Sequence, residues 1–470
     1  MKYLLKLTAV AAVLAVIVLM LSSCIFEHAP SPSPGETVPS VDVPITETIR
    51  MYYCSDDKTT LMSQQVVIHR QEVLSATEQI IKELIKNQPG AKIFPDELAL
   101  NREMQSGSVQ ILNFNEAWND MDEFTQYCAI QIIAATLNNI NNIEYICIMV
   151  NNTAISINDK PVGLFSMINS TDLTNSWDRY IENQNRNMLS LALFFPDTLQ
   201  RYTIAEVHEV NIGSDLLYAV IEALSRGPYN KTSLYSILPK NTQNSYTATY
   251  EIENEHRRLT LDLNLGEGAY ASISTNRMFI ASIVATIKCA MPDVRYIRLM
   301  NNGKDLWLTD IAYDGNYSIE YLESDLGNYV TLYYPNADGS GLLAVQRAVS
   351  YNRATNIGRL WELLEDPKES DEAKAFPLPL TVKRNIIREV IMQDGKAVID
   401  IDITLYDELA NMERNYARLY IFAMVNTLCE IESIKSVMFT VNSEKANPIY
   451  DIALGNYLFP ISGLIQYNGA

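Results

Sequence analysis

Three stretches of this chain share one layout, and that triplication limits what it can fold into more than any other feature. "CAIQIIAATLNNINNIEYICIMVN", "MFIASIVATIKCAMPDVRYIRLMN" and "LYIFAMVNTLCEIESIKSVMFTVN" each pass from an apolar helical run through a short turn into a strand that ends on Asn. Thr136 to Asn151, Thr286 to Asn301 and Thr427 to Asn442 keep one interval. A supersecondary unit has therefore been copied at a period of about 140 residues.

The repeat extends upstream. Each copy opens on an aromatic strand: Met51-Tyr52-Tyr53, "LFFPD" from Leu193 to Asp197, and "LYYPNADG" from Leu332 to Gly339, with turn chemistry behind it. An amphipathic helix follows, with apolar residues at helical spacing: Ile81, Leu84 and Ile85; Leu217, Val220, Ile221 and Leu224; Ile357, Leu360, Trp361 and Leu364. Ser75 with Glu78 reads as a capping box, and Ser214 as an N-cap. Pro89, Pro228 and Pro367 stop the three helices, and Gly227 suits a left-handed C-cap.

Connecting stretches that hold Pro95, Pro239 and Pro379 lead each copy into a hairpin. Asp394-Gly395 between two β-rich runs is a strong two-residue turn signal, Ser106-Gly107 a weaker one. In the second copy Leu259, Leu261, Leu263 and Leu265 share one strand face, which must meet a core. Each unit thus reads strand, helix, hairpin, helix, strand. The economical packing is an α/β (α+β) two-layer fold, a small mixed sheet with two helices on one face. Three such tandem domains are expected, at 48–165, 188–312 and 329–460, with Tyr/Asn-rich connectors between them.

The N-terminus sets the compartment. Lys2 and Lys6 precede an apolar run from Leu7 to Met20, the pattern of a secretory signal. Leu21-Ser22-Ser23-Cys24 is similar to the bacterial lipobox, which makes 1–23 a lipoprotein signal peptide and Cys24 the lipid-attachment residue. An uncleaved membrane anchor is the alternative, although the run is short for a span. Either way the remaining chain lies on the extracytoplasmic face of the cell membrane. Residues 24–47, rich in Pro and Ser, read as a semi-stiff tether. A formal charge of −20 argues against a nucleic-acid partner, which requires basic patches.

The motifs together resemble the GerMN domain family of sporulation and germination proteins. Leu193-Phe194-Phe195-Pro196, Arg226-Gly227-Pro228 and Leu238-Pro239-Lys240 carry the likeness in copy two. Leu332-Tyr333-Tyr334-Pro335, Gly395 and Asn426-Thr427-Leu428 carry it in copy three. Copy three departs from the pattern at Glu365-Asp366-Pro367, and copy one departs most, with Gln88-Pro89 and with Cys54 after its aromatic strand. The resemblance implies a fold similar to ring-building modules and a role in envelope assembly. It brings no catalytic residues, no cofactor and no metal.

The search for chemistry residue by residue agrees. His28, His69, His208 and His256 have no helical or Cys partner at metal-ligand spacing, and no nucleophile elbow, P-loop or dinucleotide fingerprint occurs. Asp262 with Asn264, and Asp400 with Asp402, each lie two residues apart on one strand. They read first as a solvated outer face, with cation binding as the alternative. Beyond Cys24 there are Cys54, Cys128, Cys147, Cys289 and Cys429; a Cys54–Cys147 disulfide requires the outer strands of copy one to be neighbours, and single buried thiols are the commoner pattern. The expected function is a non-enzymatic, lipid-anchored scaffold whose partners are an envelope or sporulation protein complex or further copies of itself. Binding of peptidoglycan or another envelope polymer through surface Tyr and Trp is the alternative. A hydrolase with an unrecognised site stands third.

Overall fold

The computed structural model describes residues 44–466 except 72–74, 139–142, 167–169, 185–186, 214, 254–255, 266–272, 293, 307, 309–315, 351–356, 369–370, 376–385 and 432–433. Cys24, His28, Ser214, Trp307 and Pro379 lie outside the described residues, as do the signal segment and nearly all of the tether. The first repeat comprises β1 (Pro44–Cys54), β2 (Leu61–Gln71), α1 (Ala76–Lys86), β3 (Leu100–Ser106), β4 (Val109–Phe114), α2 (Glu123–Leu137) and β5 (Tyr145–Val150). A further helix, α3 (Leu173–Asn183), leads to the second repeat: β6 (Met188–Pro196), β7 (Thr203–Asn211), α4 (Leu216–Arg226), β8 (Thr247–Glu253), β9 (His256–Asp262), α5 (Ile273–Ala290) and β10 (Val294–Asn301). The third has β11 (Gly327–Pro335), β12 (Leu342–Ser350), α6 (Ile357–Leu364), β13 (Ile387–Gln393), β14 (Lys396–Ile401), α7 (Ile403–Asn411), α8 (Arg414–Leu428) and β15 (Ser436–Val441).

The fold is mixed α/β, and the three sheets repeat one topology. An antiparallel hairpin (β3–β4, β8–β9, β13–β14) is joined by a parallel strand (β5, β10, β15) after the long helix. A parallel join needs a crossover, and the long helix supplies it. Its apolar face is buried: Ile283, Val284 and Ile287 of α5 have no exposed surface, and burial of each stabilises the fold by about 1.5–3 kcal/mol. Ser75 caps α1, with the Glu78 N–H donating to its hydroxyl at 3.3 Å, while the Glu78 carboxylate pairs with Lys82. In the second repeat the N-cap is Asp215, one residue after the expected Ser214, and its carboxylate takes the Tyr218 N–H at 3.0 Å. Gly227 ends α4 at φ 81°, a conformation other residues avoid.

Each aromatic strand has an antiparallel partner that sequence reading did not assign: β2, β7 and β12 return along β1, β6 and β11. Thr136, Thr286 and Thr427 explain the shared spacing. Each sits buried on the long helix and accepts the N–H of the aromatic strand: Tyr52 at 3.1 Å, Phe194 at 3.0 Å and Tyr333 at 3.0 Å. The hydroxyl thus satisfies a backbone donor on the strand side away from its hairpin partner.

The Asn positions are the first residues of left-handed two-residue turns. Asn151-Asn152 and Asn442-Ser443 fill them in repeats one and three. In repeat two the turn is Asn302-Gly303, one residue later than the expected Asn301. A β-bulge supplies the extra residue: Arg257 faces Val294 and Arg258 faces Tyr296, leaving Arg295 unpaired between them.

The segment read as the connector 166–187 is largely structured. Leu173, Trp177 and Tyr180 share one face of α3, and the two rings pack on Tyr127 at 5.2 and 5.3 Å. Contacts between repeats are extensive. Strand β1 adds in parallel to β13, with Ile45 opposite Val390 and Glu47 opposite Met392, so one six-stranded sheet runs from repeat one into repeat three. A buried cluster of Val109, Cys147 and Met149 with Phe194, Ala285 and Cys289 joins repeats one and two. Ser106 closes the junction: its hydroxyl donates to Gly327 O and accepts the Ala205 N–H, both at 2.9 Å. Gly107 beside it leaves no room for a side chain, since a Cβ there would lie 2.3 Å from Ala205 O.

Candidate functional site

The polar residues singled out in the sequence serve the backbone. Asp262 takes the Gly303 N–H at 2.7 Å and the Asn264 N–H at 3.3 Å. Asp400 takes the Ser443 N–H and the Thr440 hydroxyl, both at 2.8 Å. Asn113 does the same for Asn152 at 2.8 Å in repeat one. A neutral amide fills the first position as well as a carboxylate fills the others, so the role is to clamp the turn. Asp402 caps α7 through the Thr404 N–H at 2.9 Å and pairs with Arg388 at 2.6 Å. Among the described residues no group of three or more His, Cys, Asp or Glu is placed to hold a metal ion.

The histidines are dispersed. His69 bonds Thr46 at 3.0 Å. His208 is buried against Phe195, stacks on Tyr229 at 4.0 Å and meets Glu206 at 2.7 Å; burial lowers its pKa below the usual histidine value, against the pull of Glu206. His256 bonds the Arg295 guanidinium at 2.6 Å. The five described cysteines are free, and Cys54 does not meet Cys147. Cys54 faces α2 and lies against Cys128 within the core of repeat one, whereas Cys147, on the opposite face of its sheet, meets Cys289 across the junction.

Two surface features remain. The first is the outer edge of β8, which has no strand partner among the described residues; its Thr249, Tyr250, Glu251 and Ile252 are exposed. The second is a cleft of ≈ 600 Å³ between repeats one and two, walled by Glu116, Asn119, Gln126 and Asn151 on one side and by Ile252, Arg257 and Arg295 on the other. The bulge that projects Arg295 is held from beneath. Lys288, fully buried on α5, donates to the carbonyls of Val294 and Arg295, both at 2.8 Å. Burial, then the charge of Arg295, lowers the Lys288 pKa to about 7. Sequence reading missed these residues. Their signals were the basic run His256-Arg257-Arg258 in an acidic chain and a lysine inside an apolar helix.

The molecule is thus a set of tandem α/β repeats whose polar side chains mostly serve turns, caps and junctions. Residues 192–306 and 331–447 each match the Germane family, described as sporulation and spore germination, and these two repeats belong to that family. Among solved structures it is similar to the tandem GerMN domains of the sporulation protein GerM from Bacillus subtilis, at 16% identity and a TM-score of 0.24, covering 60% of this chain and 98% of that one. The first GerMN domain of the same protein matches at 14% identity and a TM-score of 0.20, covering 27% and 95%. A protein described as a lipoprotein from Clostridium perfringens matches at 21% identity and a TM-score of 0.17, covering 28% and 89%. No curated protein matches. Among the described residues no helix is long and apolar enough to cross a membrane.

Proposed function

We propose that the chain is a non-enzymatic scaffold of sporulation, germination or cell-envelope maintenance, held by lipid on Cys24 at the extracytoplasmic face of the cell membrane. In this reading 1–23 is removed as a signal peptide, 24–47 is the tether, and the domains at 48–165, 188–312 and 329–460 present surfaces to an envelope complex or to further copies. The observation that carries it is the fusion of repeats one and three through β1 and β13, together with a β8 edge that has no strand partner among the described residues. The same strand geometry closes one edge and leaves another available, as an assembly module requires.

The test is membrane fractionation and cross-linking of the full chain. Wild type is expected in the membrane fraction, cross-linked to itself or to an envelope protein; Cys24→Ala is expected in the soluble fraction. A chain recovered from membranes only as an unlinked monomer refutes the scaffold. A Cys24→Ala variant that stays in the membrane refutes the anchor.

A further inference from the structure

The charge −20 of the chain makes the cleft between repeats one and two unusual. Arg257 and Arg295 line it with no carboxylate partner among the described residues, while their neighbours Arg258 and Arg298 are paired with Glu251 and Asp305. Both guanidiniums are held in place. Arg257 lies 3.9 Å from the centre of the Tyr250 ring, and Arg295 donates to His256 Nε2. A guanidinium forks naturally onto two oxygens and is weakly hydrated, so a held, unneutralised pair is a site for an oxyanion. The placing of Arg295 is local to repeat two: it is the bulge residue, whereas β5 and β15 run beside β4 and β14 without interruption. Bulges re-aim side chains, and Lys288 holds this one.

The second observation is the edge that leads into the cleft. Ile252 near the end of β8 is 76% exposed and forms part of the cleft wall. An unpaired edge accepts an extended backbone. Repeat three shows that geometry in place, because β13, the equivalent of β8, receives β1 in parallel over Ile45–Glu47. The two guanidiniums face one carboxylate, Glu116, across the cleft. That balance suits a monoanion and opposes a dianion.

We propose that this cleft binds the carboxylate of an extended peptide whose backbone adds to the free edge of β8, with Arg257 and Arg295 holding the carboxylate. The inference rests on the scaffold reading and names the chemistry of the partner segment. Fluorescence anisotropy on the full chain in detergent micelles tests it, using a labelled Thr-Val-Thr-Val-Ala peptide with a free carboxyl terminus and its amidated twin. The free acid is expected to bind about tenfold or more tighter than the amide. Arg257→Gln and Arg295→Gln are expected to shrink that ratio below about threefold while the chain still unfolds in one cooperative transition. Ile252→Glu is expected to abolish binding of the acid. Equal binding of acid and amide, or no binding of either to about 1 mM, overturns the proposal. So does inorganic phosphate that displaces the probe at lower concentration than acetate. A chain that cross-links on membranes yet ignores both peptides keeps the scaffold and loses this site.

Discussion

Lys288 gives the sharpest physical test of the second repeat. Its side chain has no exposed surface, and among the described residues its ammonium donates to the carbonyls of Val294 and Arg295. Burial, reinforced by the charge of Arg295, moves its pKa from 10.5 to about 7. In the unfolded chain the lysine stays charged up to pH 10.5, so between pH 7 and 10.5 unfolding takes up a proton. Stability therefore rises with pH across that window, is complete above 10.5, and is flat below 7. The full swing is about 5 kcal/mol at most, and between pH 7 and 8.5 the gain is about 2 kcal/mol. Opposing groups are present: Cys128, Cys289 and Cys429 have raised pKa values, and their unfolded thiols ionise near pH 9, which lowers stability as pH rises. The difference between wild type and Lys288→Met isolates the lysine. Urea unfolding at pH 7.0, 7.75 and 8.5 is expected to show wild type gaining on the variant by that amount. A difference constant across the three pH values refutes the assignment of a buried, partly neutral ammonium.

The repeated threonine makes a second prediction. Thr286→Val keeps shape but orphans the Phe194 N–H, and is expected to cost about 1–3 kcal/mol in urea unfolding, whereas Thr286→Ser keeps the acceptor and most of the stability. Equal losses for the two would show that the methyl, not the hydroxyl, matters. His208 predicts the acid limb: its folded pKa lies below 6.5, so its contribution is full above pH 6.5 and falls as pH drops through the folded value. His208→Asn should flatten part of the decline in melting temperature between pH 7 and 5; an unchanged slope counts against it. For the cysteines, refolding with diamide, which accepts the two hydrogens of a thiol pair, is expected to link Cys54 to Cys128 and Cys147 to Cys289 and leave Cys429 free. Peptide mapping that finds Cys54 joined to Cys147 would contradict the two-face arrangement.

Periodicity made the helices and the inner strands legible because each repeat carries its own local signals. Ser75, Gly227 and Asp394-Gly395 act through residues within a few positions of themselves. The return strands were harder to read, since "TIAEVHEVN" and "LLAVQRAVS" mix polar and apolar residues more evenly than a half-buried strand does. The shared Thr was visible as a spacing, but its partner lies 84 to 94 residues away, and no local pattern encodes that contact. The pairing of β1 with β13 is the extreme case, because backbone edges carry no side-chain code for a parallel neighbour. The cleft escaped for a related reason. Arg257 and Arg295 are brought together only by the parallel join of β9 and β10, and the extra residue that aims Arg295 looked like an intact interval.

The three copies differ most at one place, the outer edge of the sheet hairpin. In repeat one the end of β3 is buried, with Ser106 bonded into repeats two and three and Arg102 paired to Glu323 at 2.6 Å. In repeat three β13 is covered by β1. The outer edge of β3 likewise has no strand partner among the described strands, but its end is buried; in repeat two the edge of β8 is exposed, and there the bulge, Lys288 and the two arginines are also found. An exposed edge is an aggregation hazard that folds ordinarily blunt with charge or cover. Glu251 and Arg258 beside it pair across the hairpin and blunt it little. Triplication therefore has a structural consequence: β1 of repeat one covers the edge of β13 in repeat three, while the edge of β8 in repeat two is left for the peptide proposed above. Closing that edge with a second Glu251-like charge, as in Ile252→Glu, should leave the frame intact and silence the partner surface alone.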